Sequence, residues 1–245
     1  HAGATTVAIT GSRQSPLAAA SSLVLRTAVP PLPDELAGLI VPCARSYIAS
    51  QLALYLLAIH LGQARDHLIK KHANNLRREL AATAQQMEAT IAACDPVARQ
   101  AALAWQDAQT FVFCGSGPNY GTAMFSAAKL LEASGDTAVA QDTEEWAHLE
   151  YFAREPQTPT FLLSAADRDA DRTLEVAAAA RTIGRCLALI APADSALAQT
   201  ADKDLLFPLA GPLRECFSPL VACLPGLLFA AYRAQVIGAD YFRAF

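Results

Sequence analysis

From residue 110 onward, short apolar runs alternate with helical segments, and that alternation leaves few folds open. The runs are Thr110–Cys114, Thr160–Leu163, Leu187–Ile190 and Leu205–Pro208. Helical composition fills the gaps, and a long apolar helix is expected from about Ser218 to Val236. Strands separated by helices build a parallel sheet covered on both faces. In such a sheet a ligand binds at the carboxyl ends of the strands.

The first run leads into the most informative stretch, FVFCGSGPNYGTAMFSAAKLLEASGDTAVAQDTEEWAH, from Phe111 to His148. Gly115, Ser116 and Gly117 follow the strand at once, and Pro118, Asn119, Tyr120 and Gly121 open a helix expected over Thr122–Leu131. Gly135 stands where a helix stop belongs. A strand that turns through glycines into a helix aims unpaired N–H groups at one point, which attracts an anion such as a phosphate. Lys129 and Glu132, three apart, share a helix face. The stretch from Gly135 to His148 reads as a charged loop. The expectation is a phosphate-sized cradle beside one lysine, one carboxylate and one histidine. Each feature also has a plain structural use. Gly-x-Gly packs a helix on a sheet, Lys129–Glu132 forms a solvated pair of little worth, and a lone histidine is commonly structural.

Upstream, Thr5–Ile9 and Leu23–Leu25 read as strands, with a helix start at Ser15-Pro16 between them. Pro30 to Pro33 reads as a loop, and a helix is expected from about Pro42 to Gly62. A polar helix from Ala64 to about Ala93 reads as a connector. Asp95-Pro96 reads as the cap and first residue of a further helix ending near Ala108. The early strand–helix region supplies only about half of a doubly wound sheet. About one hundred residues upstream of His1 are therefore expected to be missing, and the chain opens on His rather than Met.

Bulk composition narrows the function classes. Hydrophobic residues make up 53% of 245, yet no uninterrupted apolar run approaches the roughly 18–20 residues of a membrane span; Leu52–Leu61 comes nearest. A net charge of −4 argues against a nucleic-acid surface. Six scattered cysteines without CxxC suggest reduced thiols in a cytoplasm. No signal peptide is visible. His60, His67 and His72 do not share one helical face, so no metal site is expected there. No cofactor is called for either.

These residues resemble the double sugar-isomerase (SIS) domain family, typified by the isomerase half of glucosamine-6-phosphate synthase. The resemblance covers nearly the whole chain. TTVAIT, SPLA, LVLRT and VPCARSY follow the later part of a first SIS domain. FVFCGSGPNYGTA, AAKLLE, EEWAHLEYF and SPLVACLPGLLFAAYRAQVIGADYFR follow a complete second one. The resemblance implies an α/β fold: parallel-sheet, helix-flanked (flavodoxin-like) SIS domains in tandem, the first incomplete. It divides the chain into residues 1–63 (end of the first domain), 64–94 (helical connector) and 95–245 (second domain).

The resemblance also assigns roles. Glu132 falls on the carboxylate that moves a proton between C1 and C2, and Lys129 on the lysine one turn before it. His148 falls on the ring-opening histidine, which in the family reaches the neighbouring subunit's site. Val41 matches a backbone contact, and Arg45 stands where the family carries lysine. Gly115, Ser116, Gly117 and Asn119 are expected to bind substrate. The implied substrate is an (amino)hexose 6-phosphate, the implied assembly a homodimer, with neither nucleic acid nor membrane as partner. Leu149-Glu150 replaces the family's Gly-Pro after the histidine, and the first-domain phosphate loop would lie upstream of His1. No glutamine-hydrolysing domain is present in this chain. Three rivals stay open. A deglycase or deaminase would use the same carboxylate and lysine, a phosphosugar sensor would do no chemistry, and a dinucleotide-binding domain fits worse because Gly115, Gly117 and Gly121 depart from GxGxxG.

Overall fold

A computed structural model describes residues 3–34 and 44–239. The chain divides into two compact units, His1–Ala81 and Ala82–Phe245. The fold of both is α/β, with parallel strands and flanking helices.

In the first unit, β1 (Val7–Thr10) and β2 (Leu23–Arg26) pair in parallel around the short helix α1 (Pro16–Ala19). Ser15 caps α1, its hydroxyl accepting from the Ala18 amide with Pro16 in the first turn, as the sequence predicts. Helix α2 (Ala44–Ala64) follows. The next helix, α3 (Lys70–Ala104), is continuous for 35 residues, and the division between units falls inside it.

That continuity corrects the expectation of a helix start at Asp95-Pro96. Pro96 sits inside α3. The Asp95 carboxylate is spent elsewhere, accepting from the Tyr232 hydroxyl at 2.8 Å. Cys94, Ala98, Ala101 and Ala102 are fully buried, so close packing of small side chains holds the helix through the hydrogen bond that proline omits.

The second unit carries the sheet. β3 (Thr110–Gly115) is followed by α4 (Pro118–Ser134), β4 (Thr137–Gln141), α5 (Thr143–His148), β5 (Pro159–Leu163), α6 (Ala170–Thr182), β6 (Cys186–Pro192), α7 (Ala196–Gln199), β7 (Leu205–Leu209) and α8 (Pro219–Ile237). All five strands are parallel, in the order β4-β3-β5-β6-β7. Counted from β3 this is the flavodoxin-like order 2-1-3-4-5, with its switch point between β3 and β5. β4 and α5 replace what the sequence reads as a charged loop. β4 is an alanine-rich edge strand that pairs only with β3, too weakly patterned to stand out. α5 does carry a cap: Asp142 accepts from the Glu144 amide.

Alternation along each strand divides the core. Phe111, Phe113, Phe161, Leu163, Ala188 and Ile190 face the layer formed by α3, α4 and α8. Val112, Cys114, Leu162, Leu187 and Leu189 face α5, α6 and α7. Phe161 is the hub of the first layer. It stacks on Phe113 at 4.5 Å and meets Phe229 at 4.8 Å and Trp105 at 5.5 Å. α8 is 19 residues long and apolar enough, by length and composition, to cross a membrane, which the sequence reading missed. Most of it is buried, however, and it packs along α4 as a core helix. Gly226 is the point of closest approach. A Cβ there would lie 2.4 Å from the Ser126 hydroxyl.

Candidate active site

α4 carries two different chemistries at its two ends. At its amino end the glycine turn does close on the helix. A Cβ on Gly115 would lie 2.7 Å from the Asn119 carbonyl oxygen, so only glycine lets β3 turn this tightly. Gly117 has φ +52°. The turn is nevertheless a poor anion cradle. Pro118 has no N–H, and the amides of Asn119 and Tyr120 already donate to the carbonyls of Ser116 and Gly117. Asn119 is buried, its amide donating to the Ser218 hydroxyl while its carbonyl accepts from Thr122. The Glu215 carboxylate stands 3.4 Å from where a Gly117 Cβ would be. It pairs with Arg168 at 2.6 Å. Buried Asp169, raised in pKa first by desolvation and least by the Glu215 charge, adds a second acid nearby. The acidic neighbour and the two spent amides weigh against a phosphate, while the amides of Ser116 and Gly117 have no hydrogen-bond partner among the described residues.

Lys129 and Glu132 lie near the other end of α4. Ten residues of helix separate Asn119 from Lys129, about 15 Å of rise. The glycine turn and the Lys129–Glu132 pair therefore stand at two places along α4. The stretch is contiguous in sequence, but a helix running antiparallel to its strand carries residues back to the opposite end of the strands.

The pair itself is well made. Lys129 is only 7% exposed, with its ammonium 5.4 Å above the Phe125 ring. Its Nζ donates to Glu132 Oε2 at 2.5 Å. The Glu132 side chain is 37% exposed, so the carboxylate reaches solvent while its counter-charge does not. Oε1 makes no hydrogen bond among the described residues. An accessible carboxylate can take a proton from a bound carbon acid, and the buried ammonium behind it can offset the charge that results.

His148 ends α5 with its side chain 64% exposed. Nδ1 lies 2.9 Å from the Glu144 carbonyl oxygen, which can only accept, so in the neutral ring the proton sits on Nδ1 and Nε2 is free. The Glu144 main chain holds the ring, while its carboxylate, 3.8 Å from Nδ1, is drawn to Arg172 at 2.6 Å. No contact joins His148 to Lys129 or Glu132 within this chain, among the described residues. Arg45 donates to the Pro30 carbonyl at 2.9 Å within the first unit. Val41 lies outside the described residues. No cluster of three or more metal-ligating side chains occurs among the described residues.

No protein-family model matches the chain. It is 27% identical over 205 residues to a glutamine–fructose-6-phosphate aminotransferase (isomerizing) of Leifsonia xyli subsp. xyli, a match covering 82% of this chain and 33% of that protein. The chain thus spans about a third of the length of that curated relative. The C-terminal domain of glucosamine-fructose-6-phosphate aminotransferase from Francisella tularensis superposes with a TM-score of 0.80 at 19% identity, over 97% of this chain and 64% of that one. A glucosamine-6-phosphate deaminase from Thermotoga maritima gives 0.67 at 16% identity, over 96% and 62%. The chain is thus similar in sequence to isomerizing glutamine–fructose-6-phosphate aminotransferases, and its fold is that of these two solved structures.

Proposed function

We propose that the protein is a phosphosugar isomerase acting on an (amino)hexose 6-phosphate by aldose–ketose proton transfer. The observation that carries this reading is the half-exposed Glu132 carboxylate held 2.5 Å from the buried Lys129 ammonium. Glu132 removes the proton from one of the two carbons C1 and C2 and returns it to the other. Lys129 offsets the negative charge of the enediolate or enediolamine between those steps. His148, with Nε2 free, exchanges the proton that sugar ring opening requires. Its exposure suits a role in the neighbouring subunit of a homodimer. Residues 1–63 serve as the end of a first SIS domain, 64–94 as connector and 95–245 as the second domain, with Val41 and Arg45 contributing from the first. The partner is a small sugar phosphate, not nucleic acid or a membrane. The five described cysteines are free thiols, which supports a cytoplasmic setting.

A second reading, release of an amine from a fructosamine- or glucosamine-phosphate, is favoured by Leu149-Glu150 after the histidine. Incubation of the full-length protein in D₂O with a panel of hexose and hexosamine 6-phosphates separates the two. Deuterium entering C2 without ammonia or amino acid release supports the isomerase. Amine release supports the second reading. Binding of a panel sugar with neither exchange nor release would overturn both.

A further inference from the structure

Arg185 plays no part in the chemistry proposed above, yet its surroundings are unusual. It immediately precedes β6 and is 5% exposed. A buried guanidinium normally has a carboxylate partner, because desolvating a cation is costly. Arg185 has none within ion-pair distance among the described residues, and its Nε has no hydrogen-bond partner there. Three contacts hold it instead. Nη2 donates to the Glu150 carbonyl, Nη1 donates to the Glu155 carbonyl at 3.1 Å, and the guanidinium lies 5.9 Å from the Trp146 ring.

All three contacts fall on one segment, residues 146–155, and His148 is inside it. Up to His148 the segment has other anchors. Trp146 is fully buried, and Glu144 is tied to Arg172. Beyond His148 the side chains leave the protein: Leu149 is 56% exposed and Phe152 74%. Among the described residues, the other hydrogen bonds and ring contacts tying this segment down are the Trp146–Tyr151 edge contact at 6.2 Å and a long Gln141–Glu150 hydrogen bond at 3.4 Å, so Arg185 does most to fasten its backbone.

We infer that Arg185 is a positioning residue: it pins the backbone after His148 at Glu150 and Glu155, lies over the Trp146 ring before it, and so sets where the imidazole is presented. The inference rests on the ring-opening role proposed for His148. A planar fork is needed to reach two carbonyls five residues apart while lying over an indole. Lysine, a single flexible ammonium, cannot do this.

The test uses the full-length protein and two substrates: a cyclising hexose 6-phosphate and its 4,5-dideoxy analogue, which has no hydroxyl placed to close a ring. His148→Asn should lose about 100-fold in kcat/KM on the first and nothing on the second. Arg185→Met and Arg185→Lys should follow the same split, with losses of about 10- to 100-fold confined to the cyclising substrate. A split in His148→Asn with none in the Arg185 variants overturns this inference alone. No split in His148→Asn overturns the ring-opening role and the inference with it. Equal losses on both substrates would make Arg185 merely structural. Should Arg185→Met fail to fold, amide hydrogen exchange on Arg185→Lys decides. Faster exchange confined to 148–155 supports the inference, and an unchanged segment overturns it.

Discussion

Glu132 and Asp136 are four residues apart at the carboxyl end of α4, and each meets a cation. Asp136 faces Arg233 of α8 at 2.8 Å, with side chains only 9% and 3% exposed. The Arg233 guanidinium also donates to the carbonyls of Trp105, Gln106 and Ala108 and lies over Phe111. Every donor nitrogen of that guanidinium is used, and the Ser134 hydroxyl donates to Asp136 as well. Glu132 instead has one charged partner and an open side. The first pair closes α3, β3, α4 and α8 around one end of the sheet. The second leaves lone pairs for a ligand. Two ion pairs of similar sequence character thus differ in whether the fold has consumed their hydrogen-bonding capacity.

Reciprocal substitutions can break this contrast. Glu132→Gln keeps size and shape and removes the base. Turnover should fall about 10²–10⁴-fold while urea-unfolding stability changes little. A retained rate would remove Glu132 from the chemistry. Arg233→Ala should leave the Asp136 charge buried and unpaired, costing about 3–5 kcal/mol in chemical denaturation. A loss below about 1 kcal/mol would show the pair to be as dispensable as a surface one.

Two smaller effects sharpen the contrast between spent and available groups. Gly226→Ala places a methyl against Ser126, where α4 crosses α8. It should destabilise by about 1–3 kcal/mol in urea unfolding despite alanine's helix preference of about 1 kcal/mol. Ser126→Gly in the same background should recover much of that loss. The last concerns Asp169, at the switch point. Both its carboxylate oxygens lack hydrogen-bond partners among the described residues, and burial raises its pKa, only partly offset by the nearby Ser164 hydroxyl. A carboxyl whose folded pKa is raised keeps its proton in the native state after the unfolded chain has lost it. Stability from this group is therefore full below the unfolded value near 3.8 and falls as pH rises through the folded value. Asp169→Asn should raise the melting temperature by a few degrees at pH 7 and by nothing at pH 3. An equal gain at both would separate the effect from ionisation.

Much of the architecture was legible in the chain. The runs at 110–114, 160–163, 187–190 and 205–208 each lie within a strand of the five-stranded parallel sheet. Period-two alternation of large apolar residues fixes both the strand and the layer each residue faces. Gly135 ends α4 in a left-handed conformation, as a helix stop should. The places that were misread share a cause. Asp95-Pro96 carries a strong local cap pattern, and burial of Cys94, Ala98 and Ala102 overrides it. TAVAQ is too poor in large side chains to announce a strand, and only its pairing with β3 makes one.

The sequence by itself determined the alternation that makes a parallel sheet, the glycines where backbones must approach, and the Lys129–Glu132 spacing that puts the two on one face of a helix. Those properties depend on neighbours a few residues away, which a linear chain records. Only the tertiary structure decided which polar groups are still free. It set Glu215 beside the expected phosphate turn and spent Asn119 on Ser218. It enclosed Asp136 with Arg233 and left Glu132 open. It also brought Arg185, 37 residues after His148, against the backbone beside that histidine. Whether a donor or acceptor is satisfied depends on partners that folding delivers from anywhere in the chain, and that is where folding separates a structural group from a chemical one.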